Sequence, residues 1–179
     1  MPDQIEARWL ARIGGSAAVL GALLGLVGNL IHPVTPGPGD PEGTARVVPE
    51  SAIWVPVHLA LIAGFVLMLL GLVAIQQSIT GGLLGALARL GLAVGAVGST
   101  VGVIILTADG FASKHLADAW LAAPGDLRVS ALGSFRTEEA IDFALLSPLN
   151  LVFSGFTFVL FGLAAALSPA YPRWFGGGW

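Results

Sequence analysis

The chain has 179 residues, 55% of them hydrophobic and only 11% charged, with a formal net charge of −3 and no cysteine. Soluble domains carry about 25% charged residues, so this composition reads as a membrane protein. It excludes disulfides and thiolate sites, and eight basic residues dispersed along the chain leave no footprint for nucleic acid, which is excluded as a partner.

Four apolar runs recur, each long enough at about 1.5 Å per residue to cross a hydrocarbon core of about 30 Å. The twenty-five glycines fit this reading, because membrane helices use small residues for close backbone approach whereas a soluble helix loses about 1 kcal/mol at each. The N-terminal run is too long for a signal-peptide core and follows Asp3 and Glu6, so it is expected to stay as a first membrane helix.

Residues 2–11 read as an amphipathic lead-in or a plain helix extension, with Trp9 as an interfacial aromatic. The first span is expected over about 13–32. Gly21, Gly25, Gly28 and His32 share one face of it, a small-residue face suited to helix packing, and Pro33 ends the helix. Residues 33–51 carry five prolines and three glycines and read as a solvated outer loop.

The second span is expected over about 52–76, with Trp54 as a belt aromatic at its mouth and His58 about one turn inside. An unpaired ionisable side chain at that depth costs several kcal/mol, so His58 is expected to turn inward. Gly64 and Gly71 lie nearly opposite it. QQSITGG makes a short turn, and the third span follows over about 86–108.

Gly91, Gly95, Gly98, Gly102 and Asp109 share one face of that span. Two glycine stripes ending in polar groups on one membrane side predict that the first and third spans pack together, bringing His32 near Asp109. Residues 109–145 read as an amphipathic cap in the interface plane. One surface helix is expected near 110–122, a break at APGD (123–126), and a second helix from Thr137, an N-cap followed by Glu138 and Glu139.

The fourth span is expected over about 146–168, kinked at Pro148, with Asn150, Ser154 and Thr157 along one face as interhelical glue. The tail from Ser168 reads as interfacial, held by its aromatics. Arg8, Arg12, Arg89 and Arg173 fall on one side and Arg46, Lys114, Arg128 and Arg136 on the other. Weighting short loops places both termini in the cytoplasm.

The expected fold is therefore all-α, a single domain over 1–179: a four-span antiparallel transmembrane helix bundle with an amphipathic extracytoplasmic cap. Chemistry is expected at the outer mouth, where His32, His58 and Asp109 form a candidate metal set, with His115, Glu138, Glu139 and Asp142 as additional ligands. Imidazole plus carboxylate suits a transition metal, and two histidines also suit a haem. Against this stands the plain reading, in which His32 completes a helix end and His58 bonds a neighbour. Ser99, Ser113 and Ser154 have no nucleophile elbow around them, which discards a serine hydrolase.

The run ILTADGFASKHLADAW (105–120), with HP closing the first span and WVPVHLA opening the second, resembles small four-helix integral membrane proteins of high-GC bacteria. The resemblance implies an inner-membrane, multi-pass bundle and no particular activity. Three functions follow as expectations. The first is a structural or accessory subunit docking in a larger membrane complex or homo-oligomer. The second is a metal- or haem-binding membrane protein, and the third an enzyme or carrier for a lipophilic small molecule. The lipid bilayer is the partner common to all three.

Overall fold

Apolar runs of this length form helices because only a helix satisfies every backbone polar group within its own segment. The computed structural model describes residues 2–172 except Pro38, and every regular element in it is helical. The interfacial tail beyond Pro172, with Arg173 and its aromatics, lies outside the described residues.

The elements are α1 (Pro2–Ile31), α2 (Pro41–Glu50), α3 (Trp54–Ser78), α4 (Gly82–Thr107), α5 (Lys114–Ala122), α6 (Arg128–Leu149) and α7 (Phe158–Ala166). A π-helical turn over Ala108–Ser113 joins α4 to α5, and a second over Asn150–Thr157 joins α6 to α7. Among the described residues, four helices are thus long and apolar enough to cross a membrane: Gln4–Ile31, Trp54–Ser78, and the continuous helices Gly82–Ala122 and Arg128–Ala166.

The last two correct the expected boundaries. No separate surface helix starts after residue 108, because the π turn carries α4 straight on into α5. Thr137 is not an N-cap either. It lies inside α6, where its hydroxyl donates back to the Gly133 carbonyl at 2.9 Å. The APGD break holds, and it starts α6 earlier than expected: the Pro124 carbonyl accepts from the amides of Leu127 and Arg128 at 3.0 Å each.

The loop 33–51 is corrected as well, since most of it is helix α2. Asp40 caps that helix, its side chain accepting from Gly43 N at 2.9 Å, and Pro41 occupies the first turn, where its missing N–H costs nothing. The face carrying Thr44, Ala45 and Val48 is buried. Ala45 and Val48 join Trp54, Ala117, Trp120 and Phe135 in a small core at one end of the bundle. A second core, built on Leu72, Ala88, Phe153 and Phe161, sits among the long helices.

Glycines set which helices touch, and not in the expected pairs. α1 packs along α3: a Cβ at Gly21 would stand 2.8 Å from the Gly64 carbonyl, and one at Gly28 would stand 2.7 Å from Leu61 Cδ2. The α4 stripe instead receives side chains of α3 and the last helix, with Gly98 against Phe153 and Gly102 against Phe65. α1 and α4 have no extended contact among the described residues, so the expected pairing of first and third spans is overturned. Flat glycine surface on α1 is best filled by glycine surface on α3, whereas the α4 stripe is a groove that takes aromatic rings.

The polar stripe expected on the fourth span is also split. Thr157 is buried and donates to the Val152 carbonyl at 2.9 Å, but Asn150 and Ser154 are exposed. Pro148 cannot donate to the carbonyl four residues back, and the π turn that follows widens the repeat. Faces counted at 3.6 residues per turn no longer line up across it.

Candidate metal centre

Three elements meet beside the smaller core. His32 stands one residue past the end of α1, held close to α3 by the contact of Gly28 with Leu61. His58 is one turn into α3 and is 0% exposed, as an inward-facing imidazole requires. Asp109 is the second residue of the π turn after α4. That turn can lie against His58 only because Gly110 has no side chain: a Cβ there would be 2.6 Å from His58 Cβ.

Each imidazole is fixed by its Nδ1. His32 Nδ1 lies 3.0 Å from the Pro33 carbonyl and His58 Nδ1 lies 2.7 Å from the Trp54 carbonyl. A carbonyl only accepts, so Nδ1 donates in both rings; in the neutral ring Nε2 then presents a lone pair, whereas a protonated His58 donates its Nε2–H to the Asp109 carboxylate. The two Nε2 atoms face each other at 3.4 Å, and Asp109 Oδ2 stands 3.0 Å from His58 Nε2. One ligand atom from each of the three residues lies within 4.8 Å of the other two. His32 and Asp109 thus converge as expected, though through their shared neighbour His58 and not through contact of their helices.

Trp54 organises the set. It was expected as a belt aromatic, but it is 2% exposed and lies among the ligands. Its ring centroid is 4.9 Å from that of His58 and 5.2 Å from that of His32. Its Nε1–H donates to the Asp109 backbone carbonyl at 3.0 Å, tying the π turn to the start of α3. A belt residue needs lipid on one side and water on the other, and α2, α5 and α6 cover both here.

The three donors make up a group that could hold a metal ion. Bonds of about 2.1 Å in tetrahedral or octahedral geometry separate neighbouring ligand atoms by about 3.0–3.4 Å. The two distances at His58 fall in this range, and the His32–Asp109 pair lies within 4.8 Å. The Nδ1–H···O=C contacts are the kind that orient metal-bound histidines elsewhere. A haem does not fit between these rings, which touch edge to face with centroids 5.0 Å apart at 70°. No gap is left for a macrocycle.

A cavity of about 130 Å³ adjoins the set, lined by His32, Trp54 and Asp109, by the carboxylates Glu139 and Asp142, and by apolar groups including Ile105, Phe135 and Leu146. No lysine or arginine lines it. Of the nearby cations, Arg46 is engaged with Glu42, Lys114 with Asp118 and Arg128 with the Trp120 ring, while Arg136 acts electrostatically on Glu139. The additional ligands named from sequence divide accordingly. His115 is exposed on α5 and is not brought to the centre. Glu139 and Asp142 face the cavity, while Glu138 accepts from the Ser113 hydroxyl at 2.5 Å.

Sequence reasoning missed Trp54 and Ser113 as parts of this region. The signals were present: Trp54 and His58 are spaced i, i+4 on one helical face, and so are Asp109 and Ser113. No protein-family model, no curated protein and no solved structure matches this chain.

Proposed function

We propose that this chain is an integral membrane protein that binds one divalent transition-metal ion through His32, His58 and Asp109. The ion's remaining positions open to a small ligand from the adjoining cavity. The observation that carries this reading is the meeting of two imidazole Nε2 atoms and one carboxylate oxygen, with each Nδ1 already donating to a backbone carbonyl. Two imidazoles and one carboxylate with open positions suit iron(II) or zinc. An enzyme or carrier activity on a lipophilic molecule would use this same cavity, whose walls are largely apolar.

The membrane arrangement belongs to the same proposal. Four long helices cross an inner membrane in alternating directions, with both termini cytoplasmic. The pairing of Gly14 with Ala74, Gly21 with Gly64 and Gly28 with Leu61, which runs up α1 and down α3, supports the alternation. The 41 and 39 residues of the two longest helices exceed the roughly 20 that a bilayer core needs, so one end of each projects. With α2, those ends form an outer cap over the metal centre.

The bilayer is then the partner of the exposed apolar side chains of α1, such as Leu23, Leu26 and Leu30. Docking into a larger complex is a separate proposal. The glycines that motivated it, Gly21, Gly28, Gly98 and Gly102 among them, are taken up in packing within the chain.

Elemental analysis of the protein purified in mild detergent tests the metal reading. One zinc or iron per chain in the wild type is expected, with none retained by His58→Ala or Asp109→Asn. A metal-free protein that takes up neither ion after chelation and reloading sinks the reading.

A further inference from the structure

Beyond the histidine centre, and without depending on it, we infer that Asp142, which lines the cavity, and Glu138 beside it hold a second cation position at the cavity wall, one suited to a hard divalent ion such as Mn²⁺, Mg²⁺ or Ca²⁺.

The two residues are one turn apart on α6, their carboxyl groups in contact with one another. Asp142 is only 8% exposed and lines the cavity. Neither of its carboxylate oxygens meets a protein donor among the described residues, and nor does Glu138 Oε1. Glu138 Oε2 alone has one, the Ser113 hydroxyl. Three of the four oxygens of this pair are thus buried acceptors without a protein donor. Burying a carboxylate in that condition is strongly unfavourable unless it takes up a proton or a cation sits beside it.

Several alternatives for that cation are excluded by the surroundings. Among the described residues no lysine or arginine lines the cavity, and Lys114, one residue from Ser113, is turned to Asp118 at 2.7 Å. Glu139 adds a further acid to the wall and Asp109 another. One divalent ion at the histidine centre would balance Asp109 with a single positive charge to spare. It would not also neutralise Glu138 and Asp142, whereas Glu139 has Arg136 nearby.

The chemistry of the donors distinguishes the two positions. Imidazole nitrogens favour zinc or iron(II), whereas an all-oxygen set of carboxylates and a hydroxyl favours manganese, magnesium or calcium. Room exists for such an ion with its waters, since a single water needs only about 10–15 Å³ of this kind of space and the cavity offers about 130 Å³.

The test uses the full chain in detergent, stripped with chelator, given one equivalent of Zn²⁺ and then titrated with Mn²⁺, with free Mn²⁺ followed by electron paramagnetic resonance. The wild type is expected to retain one Zn²⁺ and to bind one Mn²⁺. Asp142→Asn and Glu138→Gln should each weaken Mn²⁺ binding at least tenfold while keeping Zn²⁺, and His58→Ala should lose Zn²⁺ while keeping Mn²⁺. Mn²⁺ bound without any Zn²⁺, in a manner that Asp142→Asn abolishes, supports this position while refuting the histidine centre. No Mn²⁺ binding by the wild type, as follows if the two carboxyls merely share a proton, overturns the inference. So does Mn²⁺ binding that both carboxamide variants leave unchanged. Circular dichroism checks that the variants fold, and if Asp142→Asn does not, Glu138→Gln decides.

Discussion

His32 and His58 meet Nε2 to Nε2 at 3.4 Å, and the Nδ1 of each is committed to a backbone carbonyl. Two neutral imidazoles in this orientation would set lone pair against lone pair. Either a proton on His58 Nε2, held by Asp109 at 3.0 Å, or a metal ion among the three groups relieves this, and the metal ion is the reading proposed.

Metal removal is therefore expected to destabilise the fold. At a free metal concentration a hundred times its Kd, binding contributes about 2.7 kcal/mol. Chelation should lower the melting temperature measured in detergent, and readdition should restore it. His58→Ala should melt at one temperature with or without chelator.

Gly110→Ala puts a methyl group 2.6 Å from His58 Cβ and 2.8 Å from its Cγ. The π turn must back away, carrying Asp109 with it. Metal affinity is expected to fall at least tenfold, with a stability loss of about 1–3 kcal/mol from overpacking. Gly133→Ala, where nothing stands within 4 Å on α6, should instead stabilise by about 0.5–1 kcal/mol. Equal effects of the two substitutions on metal titrations would contradict the proposed contact.

Trp54→Phe keeps most of the ring and removes the Nε1–H that the Asp109 carbonyl accepts. A stability loss of about 1–2 kcal/mol is expected from the lost bond. The ring also lies within 5.2 Å of both imidazoles, so loading with paramagnetic Co²⁺ should quench part of the tryptophan emission. The quenching should be absent in Trp54→Phe although Co²⁺ still binds, and its persistence would place the ion elsewhere.

Asp40→Ala removes the side-chain acceptor for Gly43 N at the start of α2. Loss of such a cap costs about 1 kcal/mol. Because Thr44 and Val48 of α2 wall the cavity, loosening this helix should speed metal release to a chelator more than it lowers equilibrium affinity. Stopped-flow release rates, compared with titration, check this.

Gly21→Ala and Gly25→Ala separate packing from lipid exposure on α1. The first sets a Cβ 2.8 Å from the Gly64 backbone, and the second meets nothing within 4 Å. Gly21→Ala should cost about 1–3 kcal/mol and Gly25→Ala should be neutral or mildly stabilising. Thermal melts of the two proteins in detergent check the order.

Sequence alone was enough for what depends on local composition and period. Four long apolar helices follow from run length, the turn at Gly81 and Gly82 from its dipeptide, and the inward position of His58 from the cost of burying it unpaired. His32, His58 and Asp109 could be named as candidates because each sits at a helix end or first turn near one level.

Tertiary structure decided the remainder, for physical reasons that one-dimensional reading does not carry. Helical faces were counted at 3.6 residues per turn, and two π turns break that count, hiding the continuation of α4 into α5 and splitting the Asn150, Ser154 and Thr157 stripe. Glycine stripes announce close packing but not the partner, since that depends on the shape of the opposite face. The helix α2 was legible in Asp40–Pro41–Glu42, yet five prolines outweighed it as a loop signal. Above all, the distances of 3.0 and 3.4 Å at His58 arise from three segments up to 77 positions apart, from His32 to Asp109. Only the packing of α1 and α4 on either side of α3 brings them together.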